Sequence, residues 1–125
     1  MSSKILVIDD VEENADIVKT KLNHEGFEVE VAYDGESGLE IARRELPALI
    51  LCDIMLPKMD GWEVLEHLRK NEATQHIPVI FMTAYTTLQF SGEKKRAVES
   101  GAVDYLKKPF DLNEMTALVR KHVES

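Results

Sequence analysis

Five parallel strands alternating with five helices, a doubly wound α/β fold, is the architecture that this 125-residue sequence predicts. Three observations point to it. Short aliphatic runs alternate with amphipathic helical patterns along the chain. Three of the runs are apolar almost without interruption, as strands covered on both faces are. Parallel neighbours, in turn, require right-handed crossovers, which the intervening helical patterns supply. The runs are "KILVID", "EVEVA", "ALILCD", "PVIFMT" and "VDYL", of which the first, third and fourth are near-continuously apolar. In the third, Ala48 to Leu51 would fill the middle of a buried strand.

The helices are read between these runs. Val11, Ala15, Val18 and Leu22 fall on one stripe of the first helix, and "EGFEV" supplies its stop. Asp34 opens the second at "DGESGLEIARRE". Asp60 and Glu63 in "DGWE" have capping-box spacing for the third, as Asp111 and Glu114 in "DLNE" have for the last. A fourth helix is expected over about residues 91 to 100, before "SGA".

Composition narrows the class of function. With 44% hydrophobic and 30% charged residues, the chain reads as one globular domain over residues 1–125 with a single core. It has no apolar run near bilayer-spanning length, and "MSSKILVIDD" turns acidic too soon for a signal peptide, so a cytoplasmic protein is expected. The single cysteine, Cys52, permits no internal disulfide and reads as a small core residue. A net charge of −8, with no basic cluster longer than "EKKR", argues against nucleic acid or an anionic membrane as a direct partner.

Ligands of open α/β sheets sit at the carboxyl ends of the strands. Here the first strand ends in Asp9 and Asp10, the third in Asp53 and the fourth in Thr83, while the fifth runs into Lys107, Lys108 and Pro109. Taken singly, an Asp such as Asp9 at a strand end is as readily a helix cap or turn former. Together, three carboxylates about 4 Å apart would repel by roughly 4 kcal/mol per pair at an effective dielectric near 20, so the set calls for a cation. An all-oxygen site with few protein donors suits Mg²⁺. Lysine adds a second positive charge and Thr83 a hydrogen-bond donor, which are the parts that phosphoryl transfer needs. Asp53 is the candidate nucleophile, since no cysteine or histidine stands in the loops at a strand end.

"ILVIDD", "LILCDIMLPKMDGWEVL", "PVIFMTA" and "GAVDYLKKPF", in this order and spacing, resemble the receiver domain of two-component response regulators over the entire chain. The resemblance implies a flavodoxin-like sheet of strand order 2-1-3-4-5 and an Asp53 that accepts phosphate from a phosphohistidine of a histidine kinase or phosphotransfer protein. It implies that Asp10, Asp53 and the Met55 carbonyl hold Mg²⁺, with Asp9 acting mainly through water. Thr83 would bond the phosphoryl group, Lys108 matches the lysine of the family's Lys-Pro pair, usually followed by a cis bond, and Tyr105 matches the switch aromatic. The output would be a change on the face of the last two helices and the fifth strand, read by a downstream protein target. On this reading the domain is no enzyme beyond assisting its own phosphorylation and dephosphorylation.

On the first helix, Asn14, Ile17 and Lys21 share a face turned from the core stripe and resemble the family's docking surface for the phosphodonor. The chain reads as a stand-alone, monomeric receiver, and whether phosphorylation dimerises it stays open; a piece of a longer protein would read the same. Two departures stand out. The stretch from Thr83 to Lys108 is a few residues longer than in typical receivers, around "YTTLQFSGEKK". Met55 and Tyr85, two past Asp53 and Thr83, are large and flank the approach of water, which suggests slow self-dephosphorylation.

Other features read as structural. Trp62 is expected to pack on the third helix, and His24, His67, His76 and His122 lack metal-ligand spacing and read as solvated surface. An unphosphorylated pseudo-receiver scaffold is the alternative, though such scaffolds usually lack part of the acid set. An Asp-nucleophile phosphatase of the haloacid-dehalogenase type wants a second acid where Met55 stands. A flavodoxin-type carrier would find its FMN phosphate repelled by "DDVEEN".

Overall fold

The computed structural model describes residues 3–83 and 101–123. Five strands, β1 (Lys4–Ile8), β2 (Glu28–Ala32), β3 (Leu49–Asp53), β4 (Val79–Thr83) and β5 (Asp104–Lys107), form one parallel sheet in the order β2-β1-β3-β4-β5. The expected flavodoxin-like order is thus present. Three helices, α1 (Glu12–His24), α2 (Gly35–Glu45) and α3 (Gly61–Lys70), and a C-terminal helix (Leu112–Val123) flank it. The helix expected over residues 91 to 100, the "YTTLQFSGEKK" stretch and Tyr85 lie outside the described residues.

Strand alternation divides the core between the two faces of the sheet. Leu6, Ile8, Ile50, Cys52 and Phe81 join Leu39 of α2 and Val64, Leu65 and Leu68 of α3 on one side. Ile5, Val7, Leu49, Leu51, Ile80 and Met82 meet Ala15, Val18 and Leu22 of α1 and Met115 and Val119 of the C-terminal helix on the other. β3 and β4 are buried at every position, because helices cover both faces of the middle of the sheet. Each Leu or Ile buried there contributes roughly 1.5–3 kcal/mol relative to exposure.

Two sequence readings shift at element boundaries. Val11 belongs to the N-cap of α1 and is 45% exposed, so the buried stripe is Ala15, Val18 and Leu22. Ala48 is exposed and precedes β3; its N–H bonds the Lys4 carbonyl at 2.8 Å where the chain enters the sheet. Gly26, at φ +98°, supplies the left-handed step that ends α1, as "EGFEV" suggests. Trp62 packs as expected, its ring edge-on to Phe81 with centroids 4.7 Å apart.

The caps follow the sequence. Asp34 accepts from the Ser37 amide at 2.7 Å, Asp60 from Glu63 at 3.0 Å, and Asp111 from Asn113 and Glu114 at 2.7 and 3.1 Å. These bonds satisfy helix amides that have no partner within the helix. The Ser37 amide holds the Asp34 carboxyl below its ordinary value of 3.8. A depressed folded-state value means that the stabilisation is complete above the unfolded value and is lost as pH falls through the folded one. Asp34→Ala should therefore cost about 1 kcal/mol in urea unfolding at neutral pH. The gap between variant and wild type should narrow as the pH falls below about 4.

Candidate functional site

The carboxyl edge of the sheet brings the predicted acids together. Asp9 directly follows β1 and Asp53 ends β3; both are buried, at 1% and 6% exposure, whereas Asp10 is exposed. One ligand oxygen from each of Asp9, Asp10 and Asp53 lies within 4.8 Å of the others. Lys108 reaches this cluster from the end of β5, its Nζ 3.0 Å from Asp9 Oδ2 and 2.9 Å from Asp53 Oδ2. Its backbone N–H donates to the Thr83 carbonyl, which carries the β4–β5 pairing past the last strand residue, and the Lys108–Pro109 bond is cis, as the resemblance implies.

Both buried acids are oriented by the same local device. The Val11 amide donates to Asp9 Oδ1 and the Met55 amide to Asp53 Oδ1, each at 3.0 Å and each two residues downstream. Such Asx turns leave the second oxygen of each carboxylate for Lys108. Asp9 is thus a direct partner of the lysine, a contact the sequence reading did not anticipate.

The loop after Asp53 is held from beneath. Gly61, the first residue of α3, has its amide bonded to the Ile54 carbonyl at 2.9 Å. A Cβ there would lie 2.7 Å from the Asp53 carbonyl and 2.8 Å from Ile54 Cα. Only glycine lets the helix seat so closely against the backbone of Asp53 and Ile54.

Charge balance in the site is unequal. Burial pushes the Asp53 carboxyl above its ordinary value of 3.8; the hydrogen bond and charge of Lys108 oppose this, and Asp9 adds to it. Burial pulls the Lys108 ammonium down, but the bonds and charges of Asp53 and Asp9 outweigh it, and the net shift is upward. Lysine therefore stays protonated, and the strain of the site falls on Asp53. All donors of the acid cluster are hard carboxylate oxygens, with no nitrogen or sulfur ligand among them. That set fits a small divalent cation such as Mg²⁺.

Thr83 and Tyr105 are both buried, and Phe81, two residues before Thr83, pairs in register with Tyr105. Asn14 and Ile17 are exposed on α1, Ile17 at 52%. Lys21, on the same face, is bonded to Glu25 at 3.0 Å. A cleft of about 500 Å³ runs from Asp9 and Lys108 to Asn14 and Ile17, with Pro109, Phe110 and Leu112 on its far wall. Phe110 and Leu112 were not singled out in the sequence; the apolar pair straddling Asp111 after "KKP" is the signal that could have marked them. His122 departs from its reading as solvated surface, since it is half-buried with Nε2 3.0 Å from Asp104 Oδ2.

A flavodoxin-like sheet carrying an acidic pocket and a lysine at its carboxyl edge is the architecture of a receiver domain of two-component signalling. Residues 5–120 match the response regulator receiver domain family, and the chain belongs to it. It is 44% identical over 120 residues to the response regulator PleD of Caulobacter vibrioides, covering 96% of this chain and 26% of that protein. It is also 44% identical over 117 residues to the DNA-binding dual master transcriptional regulator RpaA of Synechocystis, covering 94% of this chain and 47% of the relative. The chain thus spans between a quarter and a half of these relatives. The receiver domain of a sensor histidine kinase from Pseudomonas aeruginosa, solved with magnesium coordinated in its active-site cleft, superposes with TM-score 0.89 at 27% identity, covering all of both chains. Receiver domains are signalling modules that bind Mg²⁺ at an acidic pocket. Among the described residues, no helix is long and apolar enough to cross a membrane.

Because burial raises the Asp53 carboxyl, its ionised form weakens the fold; this contribution shrinks as pH falls through the raised value and is fully felt above it. Asp53→Asn should therefore stabilise the chelator-treated protein by on the order of 1 kcal/mol at neutral pH. Equal or lower thermal stability of the variant would contradict this account of the site.

Proposed function

We propose that residues 1–125 form one receiver domain in which Asp53 accepts a phosphoryl group from a phosphohistidine on a histidine kinase or phosphotransfer protein. The observation that carries this reading is the Lys108 ammonium set between Asp9 and Asp53, at 3.0 and 2.9 Å, beside a three-carboxylate cluster. A carboxylate oxygen of Asp53 forms the new O–P bond, the P–N bond to the donor imidazole breaks, and the imidazole leaves with a proton. Asp9, Asp10 and Asp53, with the Met55 carbonyl, would hold Mg²⁺, which supplies charge neutralisation for the phosphoryl oxygens.

The residues of the chain have distinct parts in this scheme. The Met55 amide fixes the rotation of the Asp53 carboxylate. Lys108 holds it charged and then faces the phosphoryl oxygens, while Thr83, at the end of the neighbouring strand, donates its hydroxyl to one of them. Tyr105, buried against β4, carries the change to the outer surface of β5, where a downstream protein reads it. The net charge of −8 supports a protein rather than a nucleic acid as the direct target of these residues, and the free, buried Cys52 suits a cytoplasmic setting.

The Asn14, Ile17 and Leu112 cleft is the proposed seat for the phosphodonor. Lys21 contributes there chiefly through its bond to Glu25. Incubation with a small acyl phosphate and Mg²⁺ should add one phosphoryl group to the intact mass, and the gain should vanish in Asp53→Asn or with chelator. No gain in the wild type would favour an unphosphorylated scaffold instead. Ile17→Asp should slow transfer from a cognate kinase at least tenfold, about 1.4 kcal/mol, while leaving labelling by the small donor intact. Equal loss of both would refute a docking role.

A further inference from the structure

Two clefts that meet the acid cluster have opposite wall chemistry. One, of about 690 Å³, reaches it at Asp10 and is lined by Asp34, Glu36, Glu40 and Glu63. An anionic ligand is repelled there. The other, of about 500 Å³, starts at Asp9 and Lys108 and is walled by Ile17, Phe110 and Leu112, with the buried Val18 between α1 and the core. Asn14 supplies its remaining polar side chain. The ammonium at its end is the one that lies 2.9 Å from Asp53 Oδ2, so the cleft opens directly from the cation that holds this carboxylate. Apolar walls with a few placed polar groups are the ordinary makeup of a small-molecule site. A group leaving phosphorus at Asp53 thus finds hydrocarbon along this cleft and carboxylates along the other.

We propose that this cleft makes Asp53 selective among small phosphodonors, favouring acyl phosphates whose acyl group is a hydrocarbon longer than acetyl. The acyl chain lies against Ile17, Phe110 and Leu112, where a methyl group alone would leave most of the cleft unfilled. In the step, an Asp53 carboxylate oxygen forms the new O–P bond and the bond from phosphorus to the acyl oxygen breaks. The acyl carboxylate leaves with the bonding pair, and no proton moves. Lys108, at the junction of cleft and acid cluster, faces the negative charge that develops on that oxygen. Hydrocarbon buried away from the reacting bond holds ground state and transition state alike, so the preference belongs to donor capture and not to the bond-breaking step. This inference rests on Asp53 being the phosphate acceptor.

The test follows the gain of one phosphoryl group by intact mass, on the whole protein with Mg²⁺, at a series of concentrations of acetyl, propanoyl and butanoyl phosphate. The three leaving carboxylates are nearly equal in basicity, so the donors have similar intrinsic reactivity and differences between them read the cleft. The second-order rate constant should rise along the series, by roughly fivefold from acetyl to butanoyl for methylenes partly removed from water. Phe110→Ala and Leu112→Ala, each widening the apolar wall, should bring the butanoyl-to-acetyl ratio toward one. Should either variant fail to fold, the donor series on the wild type still decides. Constants that stay level or fall along the series would overturn the proposal, as would a preference that survives both substitutions. Failure of every donor to label the wild type would remove the acceptor reading itself, whereas labelling with a level series removes only the selectivity.

Discussion

The ammonium of Lys108, held between Asp9 and Asp53, is the interaction on which the site depends. Two buried carboxylates on adjacent strands would be mutually repulsive and costly to desolvate; a shared cation is what lets both remain in place. The three residues come from β1, β3 and β5, and the last of these is separated from β3 by β4. Lys108 can cross that distance because its amide bonds the Thr83 carbonyl, which anchors the lysine beside the end of β4. Strand order is thus a condition of the chemistry as well as a description of the fold.

Around that cation the site trades stability for readiness. The Val11 and Met55 amides fix one oxygen of each buried acid, so little side-chain freedom is left to lose when a ligand arrives. Gly61 brings α3 into contact with the backbone of Asp53, and the Trp62–Phe81 pair ties that helix to β4. Asp53 nevertheless remains on the unfavourable side of the balance, since burial outweighs its pairing with Lys108. A carboxylate in this position is short of positive charge, which is the condition under which a divalent cation is welcomed.

Away from the site, the outer helices are fastened by long-range contacts. Glu25, after α1, is shared between Lys21 and Arg120 of the C-terminal helix, and the Arg120 guanidinium also lies 5.2 Å from the Phe27 ring centroid. On the other flank, His122 meets Asp104 at the start of β5. One helical turn therefore grips both the α1–β2 corner and the outer strand. These pairs are partly exposed, so each contributes modestly, and their effect is mainly to set the position of the helix.

The sequence by itself determined the element order, the alternation that divides the core between two faces, the helix caps at Asp34, Asp60 and Asp111, and the residue types gathered at the strand ends. These follow from periodicity and from side chains that bond amides two or three residues away, both local properties. Strand order 2-1-3-4-5 came only with the family resemblance, because periodicity does not say which strands are neighbours. Tertiary structure alone decided that Lys108 bridges Asp9 as well as Asp53 and that Val11 leaves the core stripe. It also decided that His122 is drawn in from the surface by a residue eighteen positions earlier. The physical reason is the range of the forces involved: capping and amphipathicity act within one or two turns, whereas ion pairing and burial depend on which distant segments the closed sheet brings into contact.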